Sequence, residues 1–332
     1  MKARRVLSLA KSARFLLEVV DPMAVGDGPG VLERRPRTPG GTSYCLYEPA
    51  RAARTWITVH GMTLAGEMDR RLVGFSRALA RRGVRAAAVE LPGLKNGRFE
   101  RGDLSAITDL SGHLARLDGR PAGIVAFSFG AGISLTAAAD DAGRGTIDTV
   151  ISFGAYHSLY EALQWVWNRY SGAPRTDEEW DNHLYLRFLM AHALGTRAGI
   201  SRADGDEVAR LLRTWCEDRD LAPRRAFCER ALNAADLRRL YEKTLSRETL
   251  RELSPAGRTF GPGCRVLLLH DANDPLIPPV HSKRISAELR GSAGSGRHRL
   301  LVTPALSHVN AGSFRRVQDV AHLVAIMAAV FE

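Results

Sequence analysis

Ala126-Phe127-Ser128-Phe129-Gly130-Ala131-Gly132 is the stretch whose reading decides the fold. The residues before it, Gly123 to Phe127, are apolar throughout, as in a strand buried on both faces. The residues after it, Ala131 to Ala139, are rich in alanine with Ile133 and Leu135, which predicts a helix. A serine on a tight strand-to-helix turn with small residues two places either side is the pattern of an exposed nucleophile. Such a turn forces the serine into a strained backbone conformation, so its neighbours must be nearly bare. The helix that starts there offers a backbone N–H at Phe129 and a positive dipole end, both suited to an oxygen that becomes negative. The pattern is A-x-S-x-G, with Ala126 where a glycine is usual.

Working outward, strands and helices alternate on both sides of this turn. Val31 to Arg37 and Thr42 to Tyr47 read as short antiparallel strands joined by Pro39-Gly40-Gly41. Trp56 to Val59 is a third strand ending at His60-Gly61-Met62, and Arg85 to Val89 is a fourth, running into Glu90-Leu91-Pro92-Gly93. Helices are predicted over Met68 to Arg82 and Leu104 to Leu117, and a strand over Thr146 to Phe153. This alternation means a mostly parallel sheet of about eight strands with helices on both faces, and active residues belong at the carboxyl ends of such strands. From Ala155 to about Thr259 only helical patterns occur, including a capping box at Thr176-Asp177-Glu178-Glu179, and the block holds Trp165, Trp167, Trp180 and Trp215. It is expected to be a lid inserted into the core, mostly packed on itself, with a few aromatics roofing a pocket. The sheet resumes at Arg265 to Leu269, followed by His270-Asp271-Ala272-Asn273-Asp274-Pro275 and a helix near His281 to Leu289. A last strand, Arg299 to Thr303, leads to Ser307-His308-Val309 and a terminal helix over Phe314 to Phe331. The expected organisation is a helix over 1–20, a core over 21–154 and 260–332, and a lid over 155–259.

The bulk numbers bound the function. The 332 residues are 45% hydrophobic and 25% charged, ordinary for a globular chain. The net charge of +11 comes from dispersed arginines, with no basic run interleaved with aromatics, so a nucleic-acid partner is not expected. Cys45, Cys216, Cys228 and Cys264 have no metal-ligand or redox spacing, and free thiols in a reducing, cytoplasmic setting are expected. A Cys216–Cys228 bridge would require an oxidising one. Val6, Leu9, Ala10, Ala13, Leu16, Leu17 and Val20 recur at helical spacing among Lys2, Arg4, Arg5, Lys11 and Arg14. This basic amphipathic helix is too short and too charged to span a bilayer. It reads as a helix docked on the domain, with a membrane-surface anchor as the functional alternative.

A serine hydroxyl needs a base within hydrogen-bond reach, usually histidine, and a carboxylate to orient that base. Asp274 follows one strand end and His308 another, so Ser128, Asp274 and His308 all fall at carboxyl ends of parallel strands in the order expected of this topology. With His60-Gly61, Glu90-Leu91-Pro92-Gly93, the Ser128 turn, the Asp274 segment and His308 in this order, the chain resembles the α/β-hydrolase superfamily from about Val31 to Glu332. The resemblance implies Ser128 as nucleophile, His308 as general base, and Asp274 as orienting carboxylate. It further implies the backbone N–H groups of Phe129 and Met62 as an oxyanion hole, supported by His60, Gly61 and Gly130. Asp271 is the competing acid. His60 is expected to shape the oxyanion loop rather than to act as a base, and His270 to be a packed histidine. The implied reaction is hydrolysis of an ester, thioester or related acyl compound through an acyl-enzyme, with no metal or cofactor. The departures at Ala126 and Asp271 leave a non-catalytic binding or scaffold protein as the alternative. The acyl group, leaving group and oligomeric state are not legible.

Overall fold

A computed structural model describes residues 2–20, 31–170, 172–215, 220–232, 234–291, 297–304, 306–307, 310–311 and 317–332. The chain begins with Lys2–Val20 (α1), Val31–Arg34 (β1), Tyr44–Pro49 (β2) and Arg54–Val59 (β3). Arg70–Arg81 (α2), Val84–Val89 (β4), Pro92–Lys95 (α3) and Arg101–Asp118 (α4) follow, then Ala122–Phe127 (β5), Ser128–Asp140 (α5) and Ile147–Phe153 (β6). Helices Leu159–Arg169 (α6), Asp177–Leu194 (α7), Arg202–Arg213 (α8), Ala222–Ala231 (α9), Ala234–Glu242 (α10) and Arg247–Glu252 (α11) separate β6 from Arg265–Asp271 (β7). Val280–Gly291 (α12), His298–Thr303 (β8) and Val317–Met327 (α13) complete the core.

Among the described residues the main sheet has eight strands in the order β1-β2-β4-β3-β5-β6-β7-β8. β1 and β2 are antiparallel to their neighbours, and the pairings from β4 through β8 are parallel. The apolar strand runs feed two cores by simple alternation. Ile57, Val59, Ile124, Ala126, Val150, Val266 and Leu268 join one core with α4, α5 and the inserted helices. Trp56, Val125, Ile151, Leu267 and Leu269 join the other with Phe15 of α1, Phe75 and Leu79 of α2, and Leu323 and Ile326 of α13. A one-residue slip in any central strand would exchange its two sets of partners, so the register is strongly specified.

The first expected strand, Val31 to Arg37, is shorter than expected. It ends at Arg34, the antiparallel pairing resumes as a single bridge between Arg37 and Ser43, and the Thr38 and Thr42 hydroxyls at that turn donate to Asp109 of α4. The Thr176 cap of α7 forms as expected, with the reciprocal bond of the box taken one residue early, by Arg175 instead of Thr176. Thr176 Oγ1 accepts from Glu179 N at 3.2 Å, and Glu179 Oε2 accepts from Arg175 N at 2.8 Å. α9 falls within the block expected to be helical, and it buries Phe227 and Cys228 behind an arginine-rich first turn. Cys45, Cys228 and Cys264 are buried free thiols, so Cys228 carries no bridge; Cys216 lies outside the described residues.

α1 docks on the domain. Phe15 is fully buried, edge-on to Phe75 with ring centroids 4.9 Å apart and to Phe331 at 5.9 Å. Ser12 Oγ donates to Val324 O at 2.8 Å, and Glu18 pairs with Arg82 at 2.6 Å. No helix among the described residues is long and apolar enough to cross a membrane.

Candidate active site

β5 ends at Phe127, and α5 begins at once at Ser128. Ser128 has φ 53°, the left-handed region, and is the only non-glycine among the described residues with positive φ. Backbone strain of this kind costs a residue about 1–3 kcal/mol and persists only where the surroundings impose it. The surroundings here are specific. A Cβ at Gly130 would lie 2.0 Å from the His60 carbonyl oxygen, so the start of α5 is pressed against the end of β3. A Cβ at Gly61 would lie 3.0 Å from Ser128 Cβ, so the loop after β3 passes directly over the serine. Ala126 is fully buried in register with Val59 and Ser152, and the sheet accommodates its methyl group. The Phe129 N–H lies in the first turn of α5, where helix geometry gives it no intrahelical acceptor. Its ring is held between Phe99, at 5.4 Å, and Tyr156, at 6.0 Å.

The loop over Ser128 is built by hydrogen bonds from His60. This imidazole is buried, and burial pushes its pKa down to about 4, so it is neutral near neutral pH. Leu91 N–H donates to its Nε2 at 3.2 Å, which leaves the proton on Nδ1 to donate to the Gly61 carbonyl at 2.6 Å. That carbonyl belongs to the same peptide group as the Met62 N–H. An amide whose oxygen accepts a strong hydrogen bond is a better donor through its N–H, and its plane is fixed. His60 therefore has both nitrogens committed to the backbone and is not placed as a base. The partner segment is anchored in turn by Asp103, whose two carboxylate oxygens accept from Gly93 N and Leu94 N, each at 2.8 Å. Burial pushes the Asp103 pKa up to about 6 against the pull of those two N–H donors.

Asp271 is the last residue of β7, paired with Thr303 of β8, and Asp274 lies three residues beyond it. The Asp274 side chain is fully buried, and its Oδ1 accepts from Leu276 N and Ile277 N, each at 2.9 Å. Its Oδ2 lies 3.6 Å from Nε2 of His270. Asp271 Oδ1 accepts from Asn273 N at 3.0 Å, within its own turn. His270 is fully buried; its Nε2 donates to Ile277 O at 2.7 Å, and its Nδ1 accepts from Ser282 Oγ at 2.7 Å. It is a packed structural histidine that shapes the Asp274 turn. His308, the expected base, lies outside the described residues.

A cleft of about 500 Å³ opens between Arg98–Glu100 of the core and Ala193–Arg197 of the insertion. Its wall includes Phe99, which packs on Phe129, but not Ser128, Met62 or Asp274. Two residues of this region escaped the sequence reading. Asp103 sits in the first turn of α4, where an acidic residue reads as ordinary helix electrostatics. Tyr185, on α7, donates its hydroxyl to the Met62 carbonyl at 2.9 Å; an aromatic on an amphipathic helix reads as packing, and nothing local marks it.

Residues 56–323 match the sequence model described as the alpha/beta hydrolase family. No curated protein sequence matches the chain significantly. Among solved structures, a Pyrobaculum calidifontis esterase is similar with a TM-score of 0.54 at 13% identity, over 99% of this chain and 92% of that one. A Pyrococcus furiosus esterase gives a TM-score of 0.50 at 11% identity, over 91% of each chain. Candida antarctica lipase A in its closed state gives 0.50 at 12% identity, over 85% of this chain and 73% of that one. At these identities the likeness is one of fold.

Proposed function

The chain belongs to the alpha/beta hydrolase family, and on that premise we propose that it is a serine hydrolase acting on an ester, thioester or related acyl compound. The observation that carries the reading is the left-handed serine at the junction of β5 and α5. A fold does not hold a β-substituted residue in that conformation without compensation, and a nucleophile that must stand clear of its strand is the attested compensation.

In the proposed reaction Ser128 Oγ attacks the acyl carbon while its proton passes to His308. The oxygen of the tetrahedral intermediate takes hydrogen bonds from the Phe129 and Met62 N–H groups, an interaction worth about 3–4 kcal/mol per donor in other enzymes. His60 and the positive end of α5 strengthen the two donors. Asp274 orients the imidazole of His308 and steadies its charge. The support for Asp274 over Asp271 is its turn: two N–H groups hold Oδ1 in place and stabilise the ionised carboxylate. His308 then protonates the leaving group, an acyl-enzyme remains, and water activated by His308 releases the acid. The proposed chemistry calls on no metal or organic cofactor.

The test is turnover of a short p-nitrophenyl ester by the full chain and by Ser128→Ala. Loss of turnover with an unchanged circular dichroism spectrum supports the reading. Equal turnover in the variant would remove Ser128 from the mechanism, and no turnover by either on esters, thioesters and amides would favour a binding protein.

A further inference from the structure

We propose that the oxyanion loop is completed by the helical insertion, and that Tyr185 of α7 is the positioning residue that completes it. The proposal rests on the serine-hydrolase reading and assigns a job to a residue remote from Ser128 in sequence.

Met62 sits between two peptide groups. The one before it carries the Met62 N–H and is held by His60 Nδ1 on the Gly61 carbonyl. The one after it carries the Met62 carbonyl and is held by the Tyr185 hydroxyl at 2.9 Å. The first hold comes from the core and the second from the insertion. The N–H lies in the first plane, and the second hold restrains rotation about the two dihedral angles of Met62 and so the drift of the residue that carries the donor. With the Tyr185 hydrogen bond gone, His60 alone holds the donor's peptide group, and the donor wanders further from its mean position.

Tyr185 is itself rigidly mounted. Its ring meets the Trp215 ring edge-on at 5.1 Å. Trp215 is buried, donates Nε1–H to Asp181 at 2.9 Å, packs on Phe188, and carries the Arg224 guanidinium 3.9 Å above its ring. A tyrosine so mounted has little rotamer freedom left to lose when it donates. The insertion also grips the opposite rim: Tyr241 Oη donates to Gly97 O at 2.5 Å, and Arg98 donates to Ala193 O at 3.0 Å. These contacts seat the insertion without touching the oxyanion loop, which makes them the internal control. The one contact of the insertion on Met62, that of Tyr185, thus steadies the oxyanion hole, while the Tyr241 and Arg98 contacts hold the insertion elsewhere.

The test uses the full chain and compares Tyr185→Phe with Tyr241→Phe, each losing one hydroxyl and keeping its ring. The measurements are the rate constant for phosphonylation by a fluorophosphonate at saturation, with fluoride leaving, and kcat and KM for a p-nitrophenyl ester. For Tyr185→Phe the maximal phosphonylation rate and kcat are expected to fall about tenfold, the value of one ordinary hydrogen bond. KM, the pH–rate profile and the thermal midpoint are expected to stay near wild type, and Tyr241→Phe to keep wild-type rates. Should Tyr185→Phe be unfolded, Tyr185→Met removes the same hydroxyl with a different filler and carries the same expectation. Rates within twofold of wild type in a folded Tyr185 variant, or equal losses in Tyr185→Phe and Tyr241→Phe, would overturn the proposal. If wild type itself fails to label, the serine-hydrolase reading fails. If wild type labels, Ser128→Ala does not, and Tyr185→Phe labels at full rate, only the role of Tyr185 fails.

Discussion

Gly130→Ala puts the account under the most direct steric load. The added Cβ would sit 2.0 Å from the His60 carbonyl oxygen and 3.0 Å from Val59 Cγ1. Backbone atoms cannot swing aside as a long side chain can, and Cβ contacts under 3.0 Å are essentially never seen, so α5 and the end of β3 must part by about 1 Å. Overpacking of this kind costs about 1–3 kcal/mol. The same parting separates Ser128 and the Phe129 N–H from Met62, and a 1 Å misplacement of reacting groups costs about 10²-fold in rate. The control is Gly74→Ala in the middle of α2, where a Cβ meets nothing within 4 Å. That change is expected to stabilise by about 0.4–1 kcal/mol and to leave the rate alone. Urea denaturation supplies the stability difference and fluorophosphonate labelling the rate. A Gly130→Ala protein as stable as wild type and labelling at its rate would refute the close approach on which the serine turn depends.

Four further outcomes are expected. Asp274→Asn should lower kcat by about 10⁴ while Asp271→Asn leaves it within a few-fold; equal losses would return the acid to Asp271. Burial pushes His60, His183 and His281 down to about 4, so the unfolded chain gains protons there first, and stability contributed by these groups is lost as pH falls from about 6.5 through 4. Asp103, pushed up to about 6 by burial, acts in the opposite sense but is one group against three, so the thermal midpoint should fall from pH 7 to pH 4.5, and a rise would contradict the assignment. Phe15→Ala, which empties the site between Phe75 and Phe331, should cost about 3–5 kcal/mol in urea denaturation, whereas an undocked α1 would give almost nothing. A peripheral membrane contact through α1 is a proposal resting on the exposed Val6 and Leu7; flotation with anionic vesicles that is lost in a Val6→Ser, Leu7→Ser double variant would support it, and no flotation of wild type would end it.

The sheet was legible because its strands serve two cores. Residues such as Ile57 and Val59 face one core while Trp56 faces the other, so the run reads as continuous apolar sequence. Ser128 was legible because its turn demands bare neighbours, and Gly130 turns out to have no room for a methyl group. Both ring nitrogens of His60 and of His270 meet hydrogen-bond partners, contacts that the sequence does not specify. Asp103 and Tyr185 were not legible, because each acts on backbone atoms supplied by another segment: Gly93 and Leu94 for one, Met62 for the other. Periodicity registers which side of a helix is buried and is silent on which carbonyl a hydroxyl will meet. The amphipathic period of α9 is blurred because Arg224 is buried against Trp215, so a core position of that helix carries a charge.

The central claim is that one alcohol, that of Ser128, is chemically activated. Intact-mass analysis after fluorophosphonate treatment, followed by peptide mapping, tests it most directly. The account predicts a single adduct per chain, located on Ser128 and absent after Ser128→Ala or His308→Ala. No adduct on the folded protein, or an adduct on another residue that persists in Ser128→Ala, would contradict it.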